Sequence, residues 1–279
     1  MSASWWNQWL RRPVSKQSVI EQIPPYVVLQ REAEDRQLAS LDRQAREQQE
    51  QHDATMAEVR VSLSSIDWGA VAEEINPRRA YRVVDDFERE LCDYTGAPHA
   101  VAVDSCTNAL LLALVHERLR FPNAPHWVRL PKRTYVGVLQ AARNAGYRVM
   151  WSDAPWERSY RLEPTRIVDS ARHIAPGMYE AGTLCALSMH AAKQLPLGRG
   201  GAILTDDAEA AEWLRAARMD GRPPGAPIEA TLPFGWHCPM PPDTAARGLW
   251  ILSRWVDSGF VPAPLPDDPY PDLSTLEGC

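Results

Sequence analysis

From Asp67 onward the chain alternates short apolar runs with stretches whose apolar residues recur every three or four positions. That pattern predicts strands separated by helices. Strands are expected at 99–103 (HAVAV), 126–130, 147–151, 165–169, 184–188 and 200–204. Helices are expected at 85–94, 108–119, 136–145, 208–218 and 243–256. Gly96 and Gly146 stand where the first and third helices should stop, because a helix often ends on a left-handed glycine. The sum is an α/β domain with a mostly parallel central sheet flanked by helices.

The flanking regions break the pattern. Residues 1–65 read as a helical N-terminal extension. Its segment 31–60 is rich in Glu, Gln, Arg and Asp, carries scattered apolar positions (Leu38, Leu41, Met56, Val59) and lacks Gly and Pro. Such a segment is a solvated helical arm, or a docking arm with WWNQW as its aromatic anchor. Residues 66–222 form the α/β core. Residues 223–279 form a reduced C-terminal segment: a proline-rich stretch, one amphipathic helix, and a tail read as loop or disorder.

Composition narrows the class. No apolar run reaches the roughly 20 residues of a membrane span, and the first residues lack the pattern of a signal peptide. The five cysteines are scattered and form no C-x-x-C pair, so reduced thiols in a cytoplasm are expected. The seven histidines show no H-x-x-x-H spacing, so no metal site is expected. A net charge of -6 argues against nucleic-acid binding through bulk charge. Of 30 basic residues only Lys16, Lys132 and Lys193 are lysines. Lysine forms Schiff bases and arginine does not, so any such chemistry has three candidates.

Three segments could carry chemistry. In VDSCTNALLLAL (103–114) a buried strand runs into Ser105, a good N-cap, and the new helix offers free amides that suit phosphate; a capped helix without a ligand is the plainer reading. In LSMHAAKQLPLGRGGAIL (187–204), Lys193 follows a strand in a glycine-rich setting. Burial there would favour a nucleophilic amine, and a surface lysine ahead of a turn fits the segment equally. In IVDSARH (167–173), Asp169 lies at the carboxyl end of a strand, as partner to a cofactor cation or as an N-cap. A phosphate turn, a carboxylate and a lysine in that order are what pyridoxal 5'-phosphate requires.

At these residues the chain resembles the DegT/StrS-type sugar aminotransferases, which are fold-type I pyridoxal-phosphate enzymes. The resemblance runs from about Asp86 to Arg222. It begins with Phe87-Glu88 and Gly96-Ala97. The family's S-G-T-x-A-L turn is matched by Ser105-Cys106-Thr107-Asn108-Ala109-Leu110, and its P-x-x-T-aromatic step by Pro131, Thr134 and Tyr135. Its E-D-A-A-Q is matched by Val168 to Arg172, its F-S-x-H-x-x-K by Leu187 to Lys193, and its G-x-G-G by Gly198, Gly200 and Gly201. The resemblance implies Lys193 as the Schiff-base lysine and Asp169 on the ring nitrogen, these two being the catalytic pair. It further implies Tyr135 stacked on the ring, and Ser105, Thr107 and Ser188 on the phosphate.

Departures from the family pattern are also visible. Cys106 replaces a glycine in the phosphate turn. Arg172 replaces a glutamine that touches the cofactor's phenolic oxygen. Gly235-Trp236-His237 stands where an asparagine reaches a neighbouring subunit's phosphate, so His237 is a candidate for that contact or for proton transfer. Only 15 residues (154–168) separate Asp153 from Asp169, where the family fits a helix and a further strand. The resemblance implies transamination through a lysine Schiff base, between a small-molecule amino donor and a small or sugar/nucleotide-linked acceptor, in a homodimer. The alternatives are pyridoxal-phosphate decarboxylation, elimination or replacement on an amino acid or amino-acid-modified substrate, or a non-catalytic binding protein on the same fold.

Overall fold

The computed structural model describes residues 36, 39, 40, 43, 44, 46, 47, 50, 81–223, 225–266 and 270–276. Residues 1–74 and 75–279 form separate compact units. In the first, the described residues between Arg36 and Glu50 are helical and exposed. WWNQW, Lys16, the apolar positions of the arm and residues 66–80 lie outside the described residues.

The second unit begins with α1 (Arg82–Thr95), whose Val84, Phe87, Leu91 and Tyr94 make one buried stripe. Gly96 ends it at φ 77°, a backbone conformation that a β-carbon disfavours. Then come β1 (His99–Val103), α2 (Cys106–Arg120), β2 (Trp127–Pro131), α3 (Val136–Asn144) and β3 (Arg148–Ser152). They are followed by β4 (Tyr160–Arg161), β5 (Ile167–Ser170), β6 (Leu184–Ser188), β7 (Gly201–Thr205), α4 (Ala208–Ala217) and α5 (Pro242–Ser258).

The strands sort their side chains by alternation. Val101, Val103, Ala186 and Ile203 face one core, shared with α2, α3 and α4. Ala100, Ala102, Cys185, Leu187, Ala202 and Leu204 face a second core, shared with α1 and α5. The result is a sheet between two helical layers. Helix α5 sits so close to α1 that a β-carbon at Gly248 would stand 2.6 Å from the Phe87 ring. Buried Glu88 of α1 ties these layers together: it accepts from the Ala102 amide at 2.8 Å and pairs with Arg215 and Arg218.

The sheet is mixed, which corrects the expectation of a mostly parallel one. Its order is β1-β7-β6-β5-β4, with β2-β3 as a separate parallel pair. Only β5-β6 is parallel within the larger sheet, and β7 runs against both its neighbours. The cause is the connection between β6 and β7. It is not a helical crossover, which a parallel return normally needs. Residues 189–200 instead fold back on themselves through Met189 N–Gly200 O at 3.0 Å and Ala191 N–Gly198 O at 3.2 Å. The short stretch before β5 likewise holds only β4, antiparallel to β5. The β2-β3 pair meets the larger sheet through the Arg129 amide and the Glu163 carbonyl, 2.7 Å apart.

The C-terminal tail is loop with a short 3-10 turn, and it is fastened down. The Leu273 amide donates to the Lys132 carbonyl at 2.8 Å. Gln194 Nε2 donates to the Ala263 carbonyl at 2.7 Å. Arg172 donates to the carbonyls of Leu265 and Pro266.

Candidate active site

One end of the sheet gathers the candidate residues. Val103 and Ser188, last residues of β1 and β6, both pair with Gly201, first residue of β7. Asp169, on β5, lies across from Ala186 of β6. Helix α2 brings its N-terminus to the same end. Ser105 caps it, accepting from the Asn108 amide at 3.3 Å. The amides of Cys106 and Thr107 stand in the first turn, where the helix supplies no acceptor and carries partial positive charge.

Two glycines permit this closeness. A β-carbon at Gly201 would lie 2.5 Å from Cys106 N and 2.5 Å from Ser105 C. At Gly137 it would lie 2.6 Å from the Tyr135 ring and 2.7 Å from Thr107 Oγ1. Tyr135 and Thr107 therefore share one wall, and Tyr135 is 56% exposed.

Asp169 is buried. Its Oδ1 accepts from the Ala171 amide at 3.0 Å and its Oδ2 from the Tyr160 hydroxyl at 2.8 Å. Burial pushes its carboxyl above the ordinary range, while Tyr160, the Ala171 amide and the charge of Lys193 pull it down. Lys193 is half-buried and acts electrostatically on both Asp169 and Cys106. Cys106 fills the place of the expected glycine, and burial holds its thiol well above the usual range, with Asp169 and Cys185 adding to the effect. This shift favours the protonated thiol, the less nucleophilic form. Lys132, by contrast, is committed to Asp153 at 2.8 Å, and that hydrogen bond raises its pKa.

Two expected residues stand differently. Arg172 is buried, but its guanidinium is engaged by the tail carbonyls. His237 is exposed and bonds through Nδ1 to Asp220 at 2.8 Å, its polar partner among the described residues. Its neighbour Cys238 reaches the turn, accepting from the Asp104 amide at 3.0 Å.

Sequence reasoning missed three contributors. Tyr160 and Thr134 form a hydroxyl chain to Asp169, with Thr134 Oγ1 at 2.7 Å from the Tyr160 oxygen. Thr134 stands in the P-x-x-T-aromatic step and was legible there; Tyr160 carried no signal. Arg199 holds Asp104 Oδ2 at 2.7 Å, offsetting an acidic charge beside the turn. Next to these residues lies a cavity of about 590 Å³, bordered by Arg133, Asp153, Trp156, Arg172, Tyr270 and Asp272 among others.

Residues 70–170 match the model of the DegT/DnrJ/EryC1/StrS aminotransferase family. A curated relative, the spore coat polysaccharide biosynthesis protein SpsC of Bacillus subtilis (strain 168), is 24% identical over 181 residues, covering 50% of this chain and 46% of that protein. The chain thus spans about half the length of this relative. A DegT DnrJ EryC1 StrS aminotransferase from Brucella abortus superposes with a TM-score of 0.56 at 21% identity, over 74% of this chain and 66% of that one. The sugar aminotransferase CalS13 from Micromonospora echinospora gives 0.52 at 19% identity, over 66% and 62%. Residues 70–170 are therefore similar to the DegT/DnrJ/EryC1/StrS aminotransferase family, and the described residues share the α/β fold of these structures.

Proposed function

We propose that this chain is a pyridoxal-phosphate-dependent aminotransferase of the DegT type, acting as a homodimer in a reducing cytoplasm. One observation carries the reading: the Ser105-capped start of α2, Ser188 at the end of β6 and buried Asp169 on β5 stand at one end of the sheet, and half-buried Lys193 follows Ser188 in the loop after β6.

The residues fit the cofactor. Cys106 and Thr107 offer first-turn amides, and Ser105, Thr107 and Ser188 offer hydroxyls for the phosphate. Gly201 leaves the turn uncrowded by a side chain from β7. Asp169 keeps lone pairs free for a protonated ring nitrogen. Tyr135 offers an exposed ring. Lys193 is the amine for the aldehyde.

When bound, the cofactor supplies an electron sink for the bond broken at the substrate's α-carbon. The chain's own residues do the rest. Asp169 holds the ring-nitrogen proton, Tyr135 orients the ring, and Lys193 moves the proton at the substrate carbon. The acceptor is assigned to the cavity of about 590 Å³, whose border shares Arg172 with this site. Its nature, sugar-linked or smaller, is set by that cavity.

The test is an absorbance spectrum of the purified chain with pyridoxal phosphate, followed by borohydride reduction and peptide mapping. The expected result is a yellow band and a reduced adduct on the Lys193 peptide, both lost in Lys193→Ala. No band, or an adduct on Lys16 or Lys132, overturns the reading. A keto acid formed from an amino donor separates transamination from decarboxylation or elimination.

A further inference from the structure

Asp169 is held by a donor that comes from the shortened stretch before β5. In the β4-β5 register Tyr160 stands directly opposite Asp169. Its ring is partly exposed, but its hydroxyl reaches inward to Asp169 Oδ2 at 2.8 Å. The other neighbour of that hydroxyl is Thr134 Oγ1 at 2.7 Å, on a residue 1% exposed three positions past β2.

The direction of these bonds follows from counting protons. A carboxylate only accepts, so Tyr160 gives its single proton to Asp169. Thr134 must then donate to Tyr160. The chain runs Thr134 to Tyr160 to Asp169, with every hydroxyl proton used. The Tyr160 ring is fixed in turn by Trp156, packed edge-on at 4.8 Å, whose Nε1 donates to the Arg133 carbonyl at 2.8 Å.

We propose that Tyr160 is the positioning residue of this site, anchoring Asp169 from β4 so that the carboxylate faces the ring nitrogen of the cofactor. The inference rests on the pyridoxal-phosphate reading above. Its physical content is orientation and charge retention. Asp169 is faced by Tyr160 from β4, Cys106 from α2, Cys185 from β6 and Lys193 from the loop after β6. The phenol is pushed well above its usual range and the Cys185 thiol to about 12, both by burial. Near neutral pH, then, Lys193 is the facing cation, and the Tyr160 and Ala171 donors are the hydrogen bonds that favour the ionised carboxylate.

The experiment uses the full chain without cofactor first. The carboxyl 13C resonance of Asp169, assigned with Asp169→Asn, is followed against pH in wild type, Tyr160→Phe and Thr134→Val. Tyr160→Phe is expected to raise the Asp169 midpoint by about one pH unit, since a hydrogen bond to the charged form is removed while the ring stays. Thr134→Val, which keeps Tyr160 but frees its far end, should move the midpoint the same way and less. Pyridoxal phosphate is then titrated in by absorbance, where Tyr160→Phe should bind about tenfold more weakly, one unit of coupling.

An unmoved Asp169 midpoint in a Tyr160→Phe protein with native circular dichroism overturns the inference, whatever the cofactor does. A moved midpoint with unchanged pyridoxal-phosphate affinity and spectrum overturns the positioning role. A wild-type chain that binds no pyridoxal phosphate overturns the functional reading and the ring-nitrogen role together, and the cofactor-free titration makes that failure distinguishable. Should Tyr160→Phe not fold, Thr134→Val carries the same titration, and an unmoved midpoint there overturns the inference.

Discussion

Gly201 lies against Cys106 with no room for a side chain between them: a β-carbon on Gly201 would stand 2.5 Å from the Cys106 amide nitrogen. The clash is with backbone, which cannot swing aside as a long side chain can. Gly201→Ala must therefore push β7 from the start of α2 or open the helix's first turn. The expected cost is about 1–3 kcal/mol, as for overpacking of a tight interior. Urea unfolding measures it. Pyridoxal-phosphate affinity should fall as well, because the displaced turn is the one assigned to the phosphate.

Glu88 offers a second measurable dependence. Its carboxylate is 4% exposed and serves Arg215, Arg218 and the Ala102 amide together. Removing it leaves Arg218, 6% exposed, without its partner charge. Glu88→Ala should cost about 3–5 kcal/mol, the usual result of breaking one side of a buried pair. Thermal or urea unfolding should show the loss without any change in the position of a bound cofactor's absorbance band.

His116 gives the fold an acid sensitivity of known sign. Burial lowers its pKa from 6.5 to about 4, with Arg166 contributing and Asp207 opposing. Above pH 6.5 the imidazole is neutral in both states and affects nothing. As pH falls from there toward about 4 the unfolded chain takes up a proton that the folded one refuses, so stability declines, by about 3 kcal/mol once both values are passed. His116 Nδ1 also lacks a hydrogen-bond partner among the described residues. In His116→Leu the unfolding midpoint should change less between neutral pH and about pH 4.5, and the difference between the two curves isolates this group.

Arg172 joins the site to the tail, and its substitution should separate the two. Arg172→Ala removes the donor to the carbonyls of Leu265 and Pro266. Hydrogen exchange at 262–266 should quicken by about ten- to a hundredfold, as expected for losing a charged hydrogen bond. Pyridoxal-phosphate affinity should stay nearly constant. A large loss of affinity would mean that the guanidinium contacts the cofactor instead.

How much of this was readable in the chain depends on the range of the forces involved. Strands β1 and β6 fall on the expected residues because each holds a four-residue apolar run, Ala100–Val103 and Leu184–Leu187, set off by polar positions. Lys193 could be singled out because lysine is scarce here and glycines surround it. The direction of β7 was not readable, since alternation specifies which face is buried and not which way a strand runs. The Tyr160–Asp169 bond hung on a two-residue strand too short to have a period. The contact of Arg172 with Pro266 spans 94 positions, and nothing local in either segment announces the other. Cys106 was legible as a departure, but the burial that favours its protonated thiol emerged only from the structure.

The seam between the two sheets bears on how such a protein changes over evolutionary time. Within the described ladders, the β2-β3 pair is stitched to the larger sheet at the Arg129–Glu163 rung alone, while Val128 and Leu130 hold the pair in place through the common core. Length changes that keep Trp156 and Tyr160 in place leave the turn, the carboxylate and the lysine undisturbed. The exposed residues 157–159, between Trp156 and Tyr160, are thus a natural place for insertion and deletion, and they border the cavity through Glu157. Changes of length there would reshape what the site accepts while leaving its chemistry intact.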